Sequence, residues 1–282
     1  MEKRVIACID DSASAAAVCD WAAWTSFKLE TPLTILHVLD KSERPHESDL
    51  SGNIGLGTRE TLLEQLTLLD EQRGKLALEQ GKQMLEAAKA RVEKAGVASK
   101  TLQRHANLVE TLSEMESEIR LLIVGRQGKK SESALAQIGS QLESVIRTLH
   151  CPILVSLATY KIPQKIMIAF DGSPTAIRML NHLVKYPQLF DGIEVHLVMV
   201  GGATDSPLQE AKAILFAEGH ESIIARRVGD SLGVALTSYV KANDIDLTVM
   251  GAYGTSPIRR FILGSNTTKM LHQTQVPLLL LR

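Results

Sequence analysis

Aromatic side chains are scarce in this chain, only 4% of its 282 residues, so any core must be built from leucine, isoleucine, valine and alanine. Cysteine is scarcer still. Cys8, Cys19 and Cys151 form no Cys-x-x-Cys pair and leave one residue over, which argues against a disulfide framework and for buried, reduced thiols. Neither charge is in excess: 31 basic residues face 32 acidic ones, without the surplus or basic stripe that a nucleic-acid partner would select. Long apolar runs are also missing. Val5–Ile9 follows Glu2, Lys3 and Arg4 but is too short for a secretion signal, and nothing approaches the ~20 residues of a membrane span. The expectation is a soluble, cytoplasmic protein with no membrane partner and about two domains of ordinary size.

What the chain does have is a repeat. Residues 5–12 read VIACIDDS and residues 166–173 read IMIAFDGS; residues 119–128 read IRLLIVGRQG and residues 245–254 read IDLTVMGAYG. A third block, GSQLESVIRTLHCPILV at 139–155, returns as GSNTTKMLHQTQVPLLL at 264–280. Three matches in the same order establish a duplication. The step from the first block to the second is 35 residues longer in half one, so that half carries an insertion.

Within each half, short apolar runs that end in Asp or Gly alternate with stretches of helical period. Strands are predicted near 4–9, 33–38, 100–105, 119–124 and 152–156, and again near 165–170, 193–200, 222–228, 245–250 and 277–281. Runs that are apolar throughout predict a parallel α/β sheet covered on both faces. Ala158–Gln164, with Pro163, reads as the linker. The insertion begins with the flexible stretch Ser51–Gly57, and Thr58 is a candidate N-cap. Leu62, Leu66 and Leu69 share one helical face, and Leu78, Leu85, Ala88 and Val92 form a second stripe. Gly74 and Gly81 weaken a helix between them, so two helices are expected. The extra apolar face needs cover from half one, from a second chain or from an apolar ligand.

In an open parallel sheet, ligands bind beyond the carboxyl ends of the strands, where the strand order reverses. Half two carries Asp171-Gly172-Ser173 after its first strand, Gly251-Ala-Tyr-Gly254 after its fourth, and Gly264-Ser265-Asn266-Thr267 opening the next helix. Glycines allow close main-chain approach, and free N–H groups at a helix start favour phosphate. Ser265 and Thr267 add hydroxyl donors there. Each element alone is equally an ordinary turn or cap; together, in this context, they read as an anion cradle. Arg259 and Arg260 lie in the intervening loop, as phosphate ligands or as solvated charges. The eight histidines show no metal-binding spacing, and His37 and His196 read as core histidines within strands.

The halves resemble universal stress protein domains, whose nucleotide-binding members carry Gly-x2-Gly-x9-Gly-Ser/Thr after the fourth strand. Half two matches through Gly251, Gly254, Gly264 and Ser265. The resemblance implies two tandem Rossmann-like domains of the adenine nucleotide α-hydrolase type, 1–158 with a helical insertion at about 41–75, and 159–282. Each would be a five-stranded parallel sheet of order 3-2-1-4-5. It also implies ATP or a related adenine nucleotide as ligand. Asp171 would lie near the adenine, Val200 would contact base or ribose through its main chain, and Met250 and Gly251 would line the ribose. Gly254, Gly264, Ser265, Asn266 and Thr267 would hold the phosphates. A Mg²⁺ or Mn²⁺ on those phosphates is compatible with this, though no carboxylate cluster calls for it. Single-domain relatives dimerise through the last strand, so the two halves are expected to pair there within one chain, leaving a homodimer of whole chains open.

Half one departs from this pattern. Its equivalent positions are Asp10, Val38, Gly125, Gly128, Gly139 and Ser140, but ten residues separate Gly128 from Gly139, and Leu142 stands where half two has Thr267. Asp11 replaces Gly172, and two carboxylates ~4 Å apart repel by about 1–4 kcal/mol. Lys129 and Lys130 are candidates to offset that repulsion. Half one is therefore expected to be the weaker nucleotide site, or none. A nucleotide-regulated stress-response role leads. The alternatives are a non-nucleotide or lipid-like ligand module using the insertion, and a slow ATPase, for which no base or P-loop motif is present.

Overall fold

Strands that are apolar at every position must be covered on both sides, and the computed structural model shows how. It describes residues 2–39, 56–127, 140–200, 204–217, 223–228, 232–251, 270–271 and 274–281. Half one runs β1 (Arg4–Cys8), α1 (Ala15–Leu29), β2 (Leu33–Leu39), α2 (Leu56–Lys94), β3 (Ser99–His105), α3 (Leu108–Glu114), β4 (Ile119–Gly125), α4 (Ser140–Thr148) and β5 (Ile153–Ser156). Half two runs β6 (Lys165–Phe170), α5 (Pro174–Leu183), β7 (Glu194–Val200), α6 (Ser206–Ala217), β8 (Ile223–Val228), α7 (Leu232–Ala242), β9 (Leu247–Gly251) and β10 (Leu278–Leu281). All ten predicted strands are present, each within two residues of its expected bounds.

The ten strands form one sheet in the order β3-β2-β1-β4-β5-β10-β9-β6-β7-β8. Each half is parallel and has the expected 3-2-1-4-5 order. The halves join where β10 pairs antiparallel with β5, Leu278 opposite Val155, Leu279 opposite Leu154 and Leu280 opposite Ile153. Side chains alternate across the sheet. Val5, Ala7 and Ile9 enter a core beneath α1, α2, α5 and α6, while Ile6 enters a second core beneath α3, α4 and α7. Both cores contain residues of both halves, so apolar packing is continuous across the join. The outer strands are different. β3 carries Lys100 and Arg104, and β8 carries Arg226 and Arg227, charges that keep exposed sheet edges from pairing further.

The insertion does not form two helices. α2 is one 39-residue helix that passes through Gly74 and Gly81, and Thr58 lies within it rather than capping it. Residues 51–55 of the flexible stretch lie outside the described residues. The helix survives its glycines because Gly81 serves packing. A Cβ there would stand 2.4 Å from Gln103 Nε2 and 2.7 Å from His37 Cδ2, so glycine is what lets α2 lie against β2 and β3. Leu85, Ala88 and Val92 are buried on half one, whereas Leu78, expected in the same stripe, is 48% exposed.

The linker is tied at both ends. The Tyr160 ring meets Trp21 of α1 edge-on at 5.1 Å between centroids, and Trp21 meets Trp24 in the same manner at 5.4 Å. Asp246 accepts hydrogen bonds from Lys161 Nζ at 2.6 Å and from the main-chain N–H groups of Gln164 at 2.8 Å and Lys165 at 3.1 Å. Burial alone would raise the Asp246 carboxyl, but these hydrogen bonds outweigh it and hold the group below its ordinary value. A depressed carboxylate stabilises the fold above its unfolded value of about 3.9, and that contribution is lost as pH falls through the lower folded value.

Two outcomes are expected. Asp246→Asn should destabilise by about 1–3 kcal/mol in urea unfolding at pH 7, and the difference from the parent should shrink as the pH falls below about 4. Gly81→Ala should destabilise by about 1–3 kcal/mol in the same assay, although alanine is the better helix former by about 1 kcal/mol.

Candidate functional site

Each half has a switch point where the first and fourth strands lie side by side. The two are built on one register. In half one Ala7 pairs with Ile123 and Cys8 with Leu36; in half two Ile168 pairs with Val249 and Ala169 with Val198. Asp10 is thereby the counterpart of Asp171, Val38 of Val200, and Gly125 of Gly251. The paired ladders bring these strand ends together at the same point of each sheet.

In half one the loops after β1 and β4 are stitched to each other. Ser14 Oγ donates to the Gln127 carbonyl at 3.1 Å. A hydroxyl has a single proton, so the 2.9 Å contact between Ser12 Oγ and Ser14 Oγ has Ser12 as donor. Gly125 is required by this closeness, because a Cβ would stand 2.2 Å from Ser14 Oγ. Beneath the loops is a cavity of about 110 Å³. Leu36, Val38, Val124, Leu142 and Val145 form its apolar wall, with Asp10, Gln127 and Gln141 as its polar groups. Cys8 lies against it. Burial first, then the neighbouring Asp10 and Cys151, push the Cys8 thiol far above its ordinary value, so it is a neutral wall atom at physiological pH. Burial likewise pushes Cys19 to about 11, and all three cysteines are free thiols.

The cavity therefore brings together Asp10, Val38 and Gly125 of the expected half-one set. Ser140 begins α4, the helix that supplies Gln141, Leu142 and Val145 to the wall. Gly128, Gly139, Lys129 and Lys130 lie outside the described residues. Asp11 is exposed and is not among the described lining residues. Sequence reading missed Leu108, Gln127 and Gln141 as lining groups. The available signal for Leu108 was Asn107, whose side chain accepts from Val109 N at 2.9 Å and Glu110 N at 3.3 Å and so starts α3.

In half two the first loop takes another path. Gly172 has φ +73°, a left-handed conformation that Asp11 does not adopt. The turn closes at once: Asp171 Oδ1 accepts from Ser173 N at 2.9 Å, and Ser173 Oγ accepts from Ala176 N at 3.1 Å, capping α5. Half one, lacking that glycine, uses two more residues before its helix begins at Ala15. Asp171 is exposed, Val200 ends β7, and Met250 and Gly251 end β9 with Met250 6% exposed. Among the described residues, a Cβ on Gly251 would meet only Met179 Sδ, at 3.9 Å. Gly254, Arg259, Arg260, Gly264, Ser265, Asn266 and Thr267 lie outside the described residues.

The strand histidines have structural partners. His37 Nδ1 lies 3.0 Å from the Ile9 carbonyl. His196 is bracketed by Glu194 Oε1 at 2.6 Å and Tyr239 Oη at 2.9 Å. Among the described residues no group of three or more His, Cys, Asp or Glu side chains could hold a metal ion. No helix among them is long and apolar enough to cross a membrane.

If Gly125 is there to admit Ser14, then Gly125→Ala should destabilise by about 1–3 kcal/mol in denaturant unfolding. Ser14→Gly in the same chain should recover part of that loss, a coupling that two independent sites would not give.

Comparison with known proteins follows the same duplication. The sequence profile of the universal stress protein family matches residues 1–156 and 201–282. Universal stress protein Slr1230 of Synechocystis is 32% identical over 288 residues, covering 99% of this chain and all of that protein. Universal stress protein Rv2005c of Mycobacterium tuberculosis is 23% identical, over 99% of this chain and 96% of that one. Among solved structures, a universal stress protein from Archaeoglobus fulgidus superposes with a TM-score of 0.71 at 17% identity, over 99% of this chain and 98% of that chain.

Proposed function

Because the chain belongs to the universal stress protein family, we propose that it binds ATP or a related adenine nucleotide through its second half, and that occupancy regulates a stress-response interaction. The observation that carries this reading is the switch point itself. Asp171 follows β6, and Val200 and Gly251 end the strands on either side of it, at the point from which the Gly-x2-Gly-x9-Gly-Ser segment departs. The carboxylate supports an amine-bearing base, and the side-chain-free Gly251 supports close approach of a ribose. Main-chain N–H groups of the helix start that the sequence predicts at Gly264, with the Ser265 and Thr267 hydroxyls, would be the phosphate donors. This donor set binds and orients; it includes no base to activate water, so regulation is preferred to turnover.

Half one supports a different ligand. Its cavity wall is apolar, with Leu142 where half two has a hydroxyl-bearing threonine. An uncharged small molecule fits that chemistry better than a polyphosphate.

Thermal unfolding with added ligand tests both. ATP should stabilise the protein progressively, by roughly 2.7 kcal/mol at a hundredfold excess over Kd. Gly264→Val should remove the effect and Gly139→Val should leave it. No stabilisation at millimolar ATP, or loss only on Gly139→Val, overturns the assignment.

A further inference from the structure

Arg126 is the first residue beyond β4, and its main-chain N–H donates to the carbonyl of Ser156, the last residue of β5, at 2.9 Å. Its side chain leaves half one. The guanidinium Nη1 donates to the Thr274 carbonyl at 2.7 Å, and burial lowers the group below its ordinary value. Thr274 closes the end of a helix. Its N–H donates to the Met270 carbonyl at 2.8 Å, and its hydroxyl donates to the Val276 carbonyl at 2.6 Å. Met270 and Leu271 are helical and buried, in the helix that the sequence opens at Gly264. Terminal carbonyls have no partner within their helix, and a cation there also meets the negative end of the helix dipole.

This tie is made in one direction. The repeat matches Ile153, Leu154 and Val155 to Leu278, Leu279 and Leu280, so the β5–β10 pairs are symmetric about an axis through Leu154 and Leu279. The same repeat matches Val145 to Met270, Leu149 to Thr274 and Arg126 to Ala252. Leu149 N–H donates to the Val145 carbonyl at 3.0 Å, as Thr274 does to Met270. The helix end is therefore alike in both halves, but alanine has no side-chain donor to offer across the axis.

We propose that Arg126 is a positioning residue for the second half's ligand site, fixing from half one the far end of the helix whose start would hold the phosphates. This role rests on the nucleotide reading of half two. The seven residues Gly264–Met270 make a helix of only about 10 Å, so restraint at one end is felt at the other. Half two is thereby completed by a side chain of half one, and half one receives nothing in return.

Calorimetric titration of the full chain with ATP and with adenosine, well below the unfolding temperature, tests the assignment. Arg126→Ala should raise the ATP Kd about three- to tenfold and leave the adenosine Kd unchanged, because adenosine has no phosphate to misplace. Lys28→Ala removes another hydrogen bond between the halves, to the Asp191 carbonyl, and should leave both constants unchanged. Without nucleotide, amide exchange over residues 270–276 should quicken in Arg126→Ala and not in Lys28→Ala. Equal weakening of ATP and adenosine, weakening of ATP in both variants, or unchanged exchange would each overturn the proposal. ATP bound equally by the parent and by Arg126→Ala overturns the positioning role alone, whereas a parent that binds no ATP overturns the nucleotide reading and this role with it.

Discussion

Three residue pairs join the molecule: Val155 with Leu278, Leu154 with Leu279, and Ile153 with Leu280. Without this antiparallel contact each half would present an unpaired apolar strand, β5 or β10, as the margin of its own sheet. With it, both strands are buried, the two cores run through the join, and ten strands become one layer. Polar contacts then fix the halves around this seam. Lys28 Nζ donates to the Asp191 carbonyl at 3.1 Å, Arg120 lies 4.1 Å over the Tyr186 ring, and Arg126 donates to the Thr274 carbonyl at 2.7 Å.

The strands were legible in the sequence because burial on both faces removes the alternation that makes many strands ambiguous. KIMIAF and LTVMG can only be interior. The outer strands differ, carrying Lys100 and Arg104 in β3 and Arg226 and Arg227 in β8, but their place at the edges followed from the family resemblance rather than from those charges. The insertion was misread because the helix penalty assigned to glycine assumes a solvated backbone. Gly81 is held under His37 and Gln103, and that packing was hidden until β2, β3 and α2 were brought together.

The candidate sites divide in the same way. Asp10, Gly125, Asp171 and Gly251 follow apolar runs at fixed spacing, so the switch points stood out from the repeat alone. The half-one cavity did not. Beyond the strand ends, its walls come from α3 and α4, through Leu108, Leu142 and Val145, residues of the kind any amphipathic helix uses for packing. The difference between Asp11 and Gly172 was visible as a charge. Its larger effect is on the backbone, since one left-handed glycine separates a capped two-residue turn from a longer loop stitched by Ser12 and Ser14.

The antiparallel seam also determines where the two crevices look. Every strand of half one runs with β5 and every strand of half two runs with β10, so the carboxyl ends of the two sets emerge at opposite margins of the layer. No single small molecule can bridge both mouths. Whatever enters one is sensed by the other only through the shared interior, or through a strut such as Arg126, which leaves the rim of one crevice and ends on the main chain feeding the last strand of the other half. A protein of this design has two crevices facing away from each other on one continuous sheet.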